Sequence, residues 1–349
     1  MSDHPNPLGV ECFEFIEFAA PDAKSLHELF TQLGCVPVAR HPKHLLTLYR
    51  QGRINFLINE TPDSAAMAFA AQHGPCCTGF AIRVSDPEQA HAHALSQGAS
   101  DFNDEPNNAP TLCFPTLRGI GGCALYLTDG IESLESQLEW LDGVDPHPKG
   151  VGLDFVDHLT HNVKNGNMQT WADFYEKIFG FYEVKYFDIK GQQTGLRSKA
   201  MTSPGNKISI PINESEDPKS QINEYIDQYQ GEGVQHIALY TDHIYDAVEA
   251  LRANNVHFLD TPDAYFDMVD ERIPNHGENV ERMRANKILI DADHHQPDKK
   301  LLQIFTQTNI GPIFFEIIQR QGNDGFGEGN FQALFEAIER DQQERGVLS

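Results

Sequence analysis

Apolar and polar residues alternate in short runs separated by stretches of helical period, and the same order of runs occurs in both halves of the chain. Near the start, CFEFIEFA (12–19) has the two-residue period of a half-buried strand, while DAKSLHELFTQLG (22–34) spaces its apolar residues as an amphipathic helix does. Strands are predicted next at CVPVAR, HLLTLYR and RINFLINE. In the second half, VDHLTHNV (156–163) precedes the helical MQTWADFYEKIFG (168–180), followed by FYEVKYFDI, TGLRSKAM and KISIPIN. Both halves therefore open as βαβββ.

A second unit follows within each half. Residues 80–95 (FAIRVSDPEQAHAHAL) align without a gap on 236–251 (HIALYTDHIYDAVEAL), matching Asp86 to Asp242 and Ala94-Leu95 to Ala250-Leu251. That alignment sets Phe80 opposite His236, so the first half reads as a structural copy without the histidine. Two prolines and a glycine in Asp145-Pro-His-Pro-Lys-Gly150 mark a boundary, giving domains 1–149 and 150–349. Four βαβββ units in two tandem pairs resemble the vicinal oxygen chelate superfamily, an α+β fold in which curved, barrel-like mixed sheets enclose a pocket; a fold fixes no substrate.

Composition narrows the function. Of 349 residues, 40% are hydrophobic and 22% charged, as in a soluble globular protein, and no run approaches the roughly 18 apolar residues of a membrane span. The N-terminal MSDHPNPLGVECFEF has neither a basic nor an apolar signal region, so a cytoplasmic location is expected. With 26 Lys and Arg against 51 Asp and Glu, a net charge of −25 repels nucleic acid. The six cysteines (Cys12, Cys35, Cys76, Cys77, Cys113, Cys123) lie in the first 123 residues without a CxxC pair and are expected to be buried thiols. A metal in the second half would then be held by histidine and carboxylate alone.

Three residues of those types interrupt apolar strands: His158 in VDHLTHNV, His236 in GVQHIALY and Glu316 in PIFFEIIQR. Strand alternation predicts that His158 shares a face with Val156 and Thr160, His236 with Val234 and Ala238, and Glu316 with Phe314 and Ile318. The residue numbers are 78 and 80 apart, about one unit each time, so equivalent strands of successive units can bring the three together. Two imidazoles and a carboxylate form the facial triad of non-haem Fe(II) oxygenases. Singly, each has a commoner explanation: a strand histidine is usually hydrogen-bonded core, and a buried glutamate is usually salt-bridged. The residues alone leave both readings open. His161 points to the opposite face, His91 and His93 diverge on a helix, and His294-His295 reads as a solvated loop. The glycine-rich GNDGFGEGN (322–330) fits no phosphate-binding spacing and reads as a hinge. The helix after it carries Phe331, Leu334, Phe335 and Ile338 on one face, as a lid would.

VDHLTHNV, FYEKIFGF, YFDIKG, GLRSKAM, PINE, GEGVQHIAL, LLQIFT, FFEIIQR and GFGEGNFQALFEAIERDQ together resemble the 4-hydroxyphenylpyruvate dioxygenases over about residues 150 to 349, with FEFIEFAAPD a shorter match in the first half. The resemblance implies one Fe(II) per subunit on His158, His236 and Glu316. It implies polar residues acting on the substrate at Ser198, Asn213 and Gln235, further substrate contacts at Gln221, Gln303 and Asn330, and an aromatic pocket of Phe305, Phe314, Phe326 and Phe331. The implied reaction takes 4-hydroxyphenylpyruvate and O2 to homogentisate and CO2 in tyrosine and phenylalanine catabolism. The substrate brings its own 2-oxo acid, so no 2-oxoglutarate is expected, and the family implies a homodimer or homotetramer. Two alternatives stand beside it. A 4-hydroxymandelate synthase uses the same substrate and triad, but resembles this chain less at Asn213 and Phe331, where it is aliphatic. A metal-free protein binding an aromatic ligand would need no triad.

Overall fold

The computed structural model describes residues 4–104, 111–190, 194–293, 296–327 and 329–331, together with 339, 343 and 346. Each half folds as one eight-stranded mixed sheet. The first holds β1 (Phe13–Ala19), β2 (Val36–Arg40), β3 (Leu46–Gln51), β4 (Ile54–Asn59), β5 (Cys76–Arg83), β6 (Thr116–Arg118), β7 (Ala124–Thr128) and β8 (Glu139–Trp140), in the order β6-β7-β5-β1-β4-β3-β2-β8. The second holds β9 (Leu153–Asn162), β10 (Tyr182–Lys190), β11 (Gly195–Thr202), β12 (Ser209–Glu214), β13 (Gly233–Thr241), β14 (Leu289–Asp293), β15 (Gln296–Phe305) and β16 (Phe314–Gln321), in the order β10-β11-β12-β9-β13-β16-β15-β14. Read from opposite ends, the central strands correspond. The first strand of each half pairs antiparallel with that half's fifth strand and parallel with its fourth.

Helices Lys24–Gln32, Pro87–Ser96, Met168–Phe179 and Ile244–Ala253 complete the four βαβββ units. Two further helices, Ala65–His73 and Gln221–Tyr229, join the units within each half, and each starts at a serine, Ser64 or Ser220, whose hydroxyl accepts from a backbone N–H one turn in. They meet across the halves, where the His73 and Tyr229 rings stack at 4.7 Å and His73 Nδ1 lies 2.6 Å from the Tyr229 carbonyl oxygen. One apolar core runs through both halves, with Phe56 against Phe315 and Phe80 against His161. No helix among the described residues is long and apolar enough to cross a membrane. The expectation of buried thiols fails at Cys113, which is exposed, and at Cys12, which is partly so. His294-His295 and the lid positions Leu334, Phe335 and Ile338 lie outside the described residues.

Candidate active site

Three neighbouring strands, β9, β13 and β16, carry the candidate donors. Ala238 of β13 is in register with His158 on one side and Glu316 on the other, and His236 lies two residues earlier on the same strand. Pairing thus closes separations of about eighty residues, and the small Ala238 side chain leaves the space between the flanking donors open. His158, His236 and Glu316 are all buried.

Two irregularities aim the histidines. Between β13 and β9, Val234 pairs with His161 and His236 with Thr160, so Gln235 is an extra residue; lower down, Ala238 pairs with His158 and Leu239 with Val156, so Asp157 is extra. Each bulge turns the strand by one residue. The expected face sharing therefore fails at Val156 and Val234, which join the core with Leu159. It holds at Thr160, whose Oγ1 lies 2.9 Å from His236 Nε2. Asp157 and Gln235 instead reach the adjacent imidazoles: Asp157 Oδ1 is 2.8 Å from His158 Nδ1, and Gln235 Oε1 is 3.0 Å from His236 Nδ1. These bonds leave both Nε2 atoms facing the carboxylate.

The three donor atoms form a near-equilateral triangle. His158 Nε2 is 3.1 Å from Glu316 Oε2, His236 Nε2 is 3.4 Å from it, and the two nitrogens are 3.3 Å apart. Donors about 2.1 Å from a common ion sit about 3.0 Å apart at right angles and about 3.4 Å apart at tetrahedral angles, so the triangle fits a divalent metal. The other carboxylate oxygen, Glu316 Oε1, accepts from Gln303 Nε2 at 2.7 Å. Burial pushes the His158 imidazolium down, but the charge of Glu316 and the hydrogen bond to Asp157 outweigh it and raise the group to about 9. Burial pushes Glu316 up, and the two imidazoles overcome this and hold it at about 2. His161 faces the core: burial lowers its imidazole to about 3, and its Nε2 is 2.7 Å from Tyr175 Oη.

The other expected site residues divide between two cavities. Asn213, Gln303, Phe305, Phe326 and Phe331 surround the donors in a cavity of only about 20 Å³. Gln221, Gln235 and Phe314 line a neighbouring cavity of about 380 Å³. Ser198 and Asn330 line neither, although both are buried. Ser198 Oγ has no hydrogen-bond partner among the described residues, and Asn330 Nδ2 donates to Gln303 Oε1 at 3.0 Å. Sequence reasoning missed Asp157, Thr160, Arg320 and Phe187, whose ring lies 4.9 Å from that of Phe331. Asp157 had a signal, an acid beside a strand histidine.

The first half carries the same frame with different side chains. Gly79 pairs with Glu17 and Ala124 as His236 pairs with Thr160 and Phe314. The helices agree, since 244 − 87 and 253 − 96 are both 157, the offset between 236 and 79. The counterpart of His236 is therefore Gly79 and not Phe80, a one-residue slip that exchanges faces. The strand pairing likewise matches Tyr126 to Glu316, Phe15 to His158 and Asn59 to Asn213.

Residues 4–140 match the family described as hydroxyphenylpyruvate dioxygenase, N-terminal, and residues 155–268 match the glyoxalase/bleomycin resistance protein/dioxygenase superfamily. The chain is 51% identical to a 4-hydroxyphenylpyruvate dioxygenase of Pseudomonas aeruginosa, over 98% of this chain and 97% of that one. It is 52% identical to hemolysin VllY of Vibrio vulnificus, over 100% of this chain and 99% of that one. A solved triple mutant of 4-hydroxymandelate synthase from Streptomyces coelicolor superposes with a TM-score of 0.83 at 25% identity, covering 96% of this chain and 100% of the other.

Proposed function

Since this chain belongs to the 4-hydroxyphenylpyruvate dioxygenase family, we propose that it converts 4-hydroxyphenylpyruvate and O2 to homogentisate and CO2 in tyrosine and phenylalanine catabolism, with one Fe(II) per subunit on His158, His236 and Glu316. The observation that carries this reading is the convergence of three metal-binding side chains of the right types on three adjacent strands, all buried. Two imidazoles and one carboxylate favour iron among divalent metals used with O2 and leave coordination positions free. When bound, the iron supplies chelation of the 2-oxo acid and reductive activation of O2. The substrate carries its own 2-oxo acid, and the reaction needs no 2-oxoglutarate.

The remaining residues bind, orient and exclude water. Gln235 and Asp157 fix the imidazole tautomers, keeping each Nε2 lone pair toward the centre. Phe305, Phe314, Phe326 and Phe331 provide apolar walls around the ring of the substrate and keep water from the oxidising step. Ser198, Asn213 and Gln235 present polar atoms beside those walls; Gln221, Gln303 and Asn330 contact substrate as it enters. A cavity of about 20 Å³ holds little more than one water, so substrate entry requires the segment bearing Phe326 and Phe331 to move. Residues 150–349 form the catalytic domain, with the C-terminal helix as lid, and residues 1–149 a non-catalytic one. The enzyme works in the cytoplasm as a homodimer or homotetramer.

The likeness to 4-hydroxymandelate synthase supplies a second reading, oxidation at the benzylic carbon. Asn213 and Phe331 favour ring hydroxylation. Product identification by mass and NMR, after incubating Fe(II)-loaded enzyme with 4-hydroxyphenylpyruvate and O2, decides. Homogentisate is expected; 4-hydroxymandelate would keep the triad and overturn the pocket, and no turnover with iron bound would overturn the substrate.

A further inference from the structure

Two hydrogen-bond chains lead from the donor triangle to the glycine-rich segment that follows β16. The first starts at His158, whose Nδ1 lies 2.8 Å from Asp157 Oδ1. Asp157 is gripped on both oxygens by Arg320, Nη2 to Oδ1 at 2.8 Å and Nε to Oδ2 at 2.8 Å. The remaining guanidinium nitrogen, Nη1, donates to the carbonyls of Gly325 at 2.6 Å and Asn323 at 3.2 Å. Every nitrogen of Arg320 is thus spent on the histidine's partner or on the segment. The next residue, Phe326, sets its ring edge-on to His158 at 6.1 Å.

The second chain starts at Glu316. Gln303 donates through Nε2 to Glu316 Oε1 at 2.7 Å and accepts through Oε1 from Asn330 at 3.0 Å, and Asn330 Oδ1 accepts from Tyr265 Oη at 2.7 Å. Gly327 fits against this amide only because it lacks a side chain: its φ is +73°, and a Cβ there would come within 2.0 Å of Gln303 Oε1. Two of the three donors are therefore oriented by groups that also hold the segment shut.

We propose that Arg320 and Asp157 are positioning residues that couple metal affinity to closure of the segment at residues 323–327 and 329–331. The proposal rests on the reading that the triangle binds a divalent metal. Closing the segment seats Arg320, Arg320 fixes Asp157, and Asp157 aims His158. By thermodynamic reciprocity, metal on His158 then favours the closed segment. A lysine cannot replace Arg320, because one ammonium cannot span both carboxylate oxygens and the two carbonyls.

The test uses the full chain stripped of metal and titrated with Co(II), whose visible absorption reports both coordination and affinity, with hydrogen exchange followed in peptides covering 322–331. In wild type, Co(II) should slow exchange there by about tenfold or more. Arg320→Met should weaken Co(II) binding by about 10- to 100-fold, the range for groups that orient metal ligands, and the metal should then no longer slow exchange in 322–331. Peptides of β1–β7 should exchange as in wild type, showing an intact fold. Arg320→Lys should fall between, and it decides the matter with the wild-type exchange if Arg320→Met does not fold. Wild-type Co(II) affinity in the variants, or exchange in wild type that is indifferent to metal, would overturn the coupling. A wild-type chain that takes up no Co(II) would overturn the metal reading beneath it.

Discussion

Two buried glutamates, Glu17 and Glu316, stand on different strands of the two matching frames and behave oppositely. Glu17 of β1 sits across from Gly79, and its carboxyl accepts from Asn59 Nδ2 at 2.8 Å, Thr78 Oγ1 at 2.9 Å and Tyr126 Oη at 3.1 Å. Every donor is neutral, so burial dominates and pushes Glu17 up. Glu316 faces two imidazoles and is held down despite equal burial. The frame is common to both, and what differs is whether the opposing side chains supply lone pairs for a cation. In the first half those positions are Phe15, Gly79 and Tyr126, and a polar network fills the centre.

The largest effect should come from removing a donor. Glu316→Gln or His236→Ala should weaken Fe(II) by more than the ~100-fold that an outer group costs, measured by anaerobic titration; wild-type affinity in either would contradict the triad. Next, Glu17→Ala should destabilise by about 1–3 kcal/mol, because Asn59, Thr78 and Tyr126 lose their shared acceptor. Gly79→Ala should also destabilise by about 1–3 kcal/mol, since its Cβ would meet Ala124 O at 2.7 Å and Tyr126 Cε2 at 2.9 Å. Denaturant unfolding checks both, and an unchanged midpoint would mean that the first centre is loosely packed.

The pH dependence should separate the halves further. An acid whose folded pKa is raised binds more protons folded than unfolded, so its contribution declines as pH rises above the unfolded value near 4.5. Glu17→Gln, which cannot ionise, should therefore match wild type at pH 4 and gain on it toward pH 8. A gap that is constant with pH would show that Glu17 is ionised in the fold. The smallest effect is expected at Ser198. With no partner for its Oγ among the described residues, Ser198→Ala should change stability by no more than ~0.5 kcal/mol while raising KM for the substrate. A large loss of stability with unchanged KM would make the hydroxyl structural.

Much of this was legible because polar residues in apolar strands are conspicuous: His158, His236 and Glu316 stand out against their neighbours, and the period of the repeat foretold that they could meet. The faces were less legible. Alternation misplaced Val156 and Val234 because bulges at Asp157 and Gln235 are set by pairing with a distant strand, which one strand's pattern does not record. The same limit set Phe80 against His236, where a gapless alignment fell one residue short of the true register. The partnership of Asp157 with Arg320 spans 163 residues and follows only from the order of β9, β13 and β16. The Gln303–Asn330 bond likewise turns two expected substrate contacts toward each other. The Ser64 and Ser220 caps were available in the sequence and mark helices that the strand pattern passed over.

Metal stoichiometry tests the contrast between the halves most directly. Fe(II) loaded anaerobically and counted per chain should give one equivalent in wild type and in Glu17→Gln, and none in Glu316→Gln. Two equivalents in wild type, or one retained in Glu316→Gln, would place a metal outside the donor triangle of the second half and contradict the account.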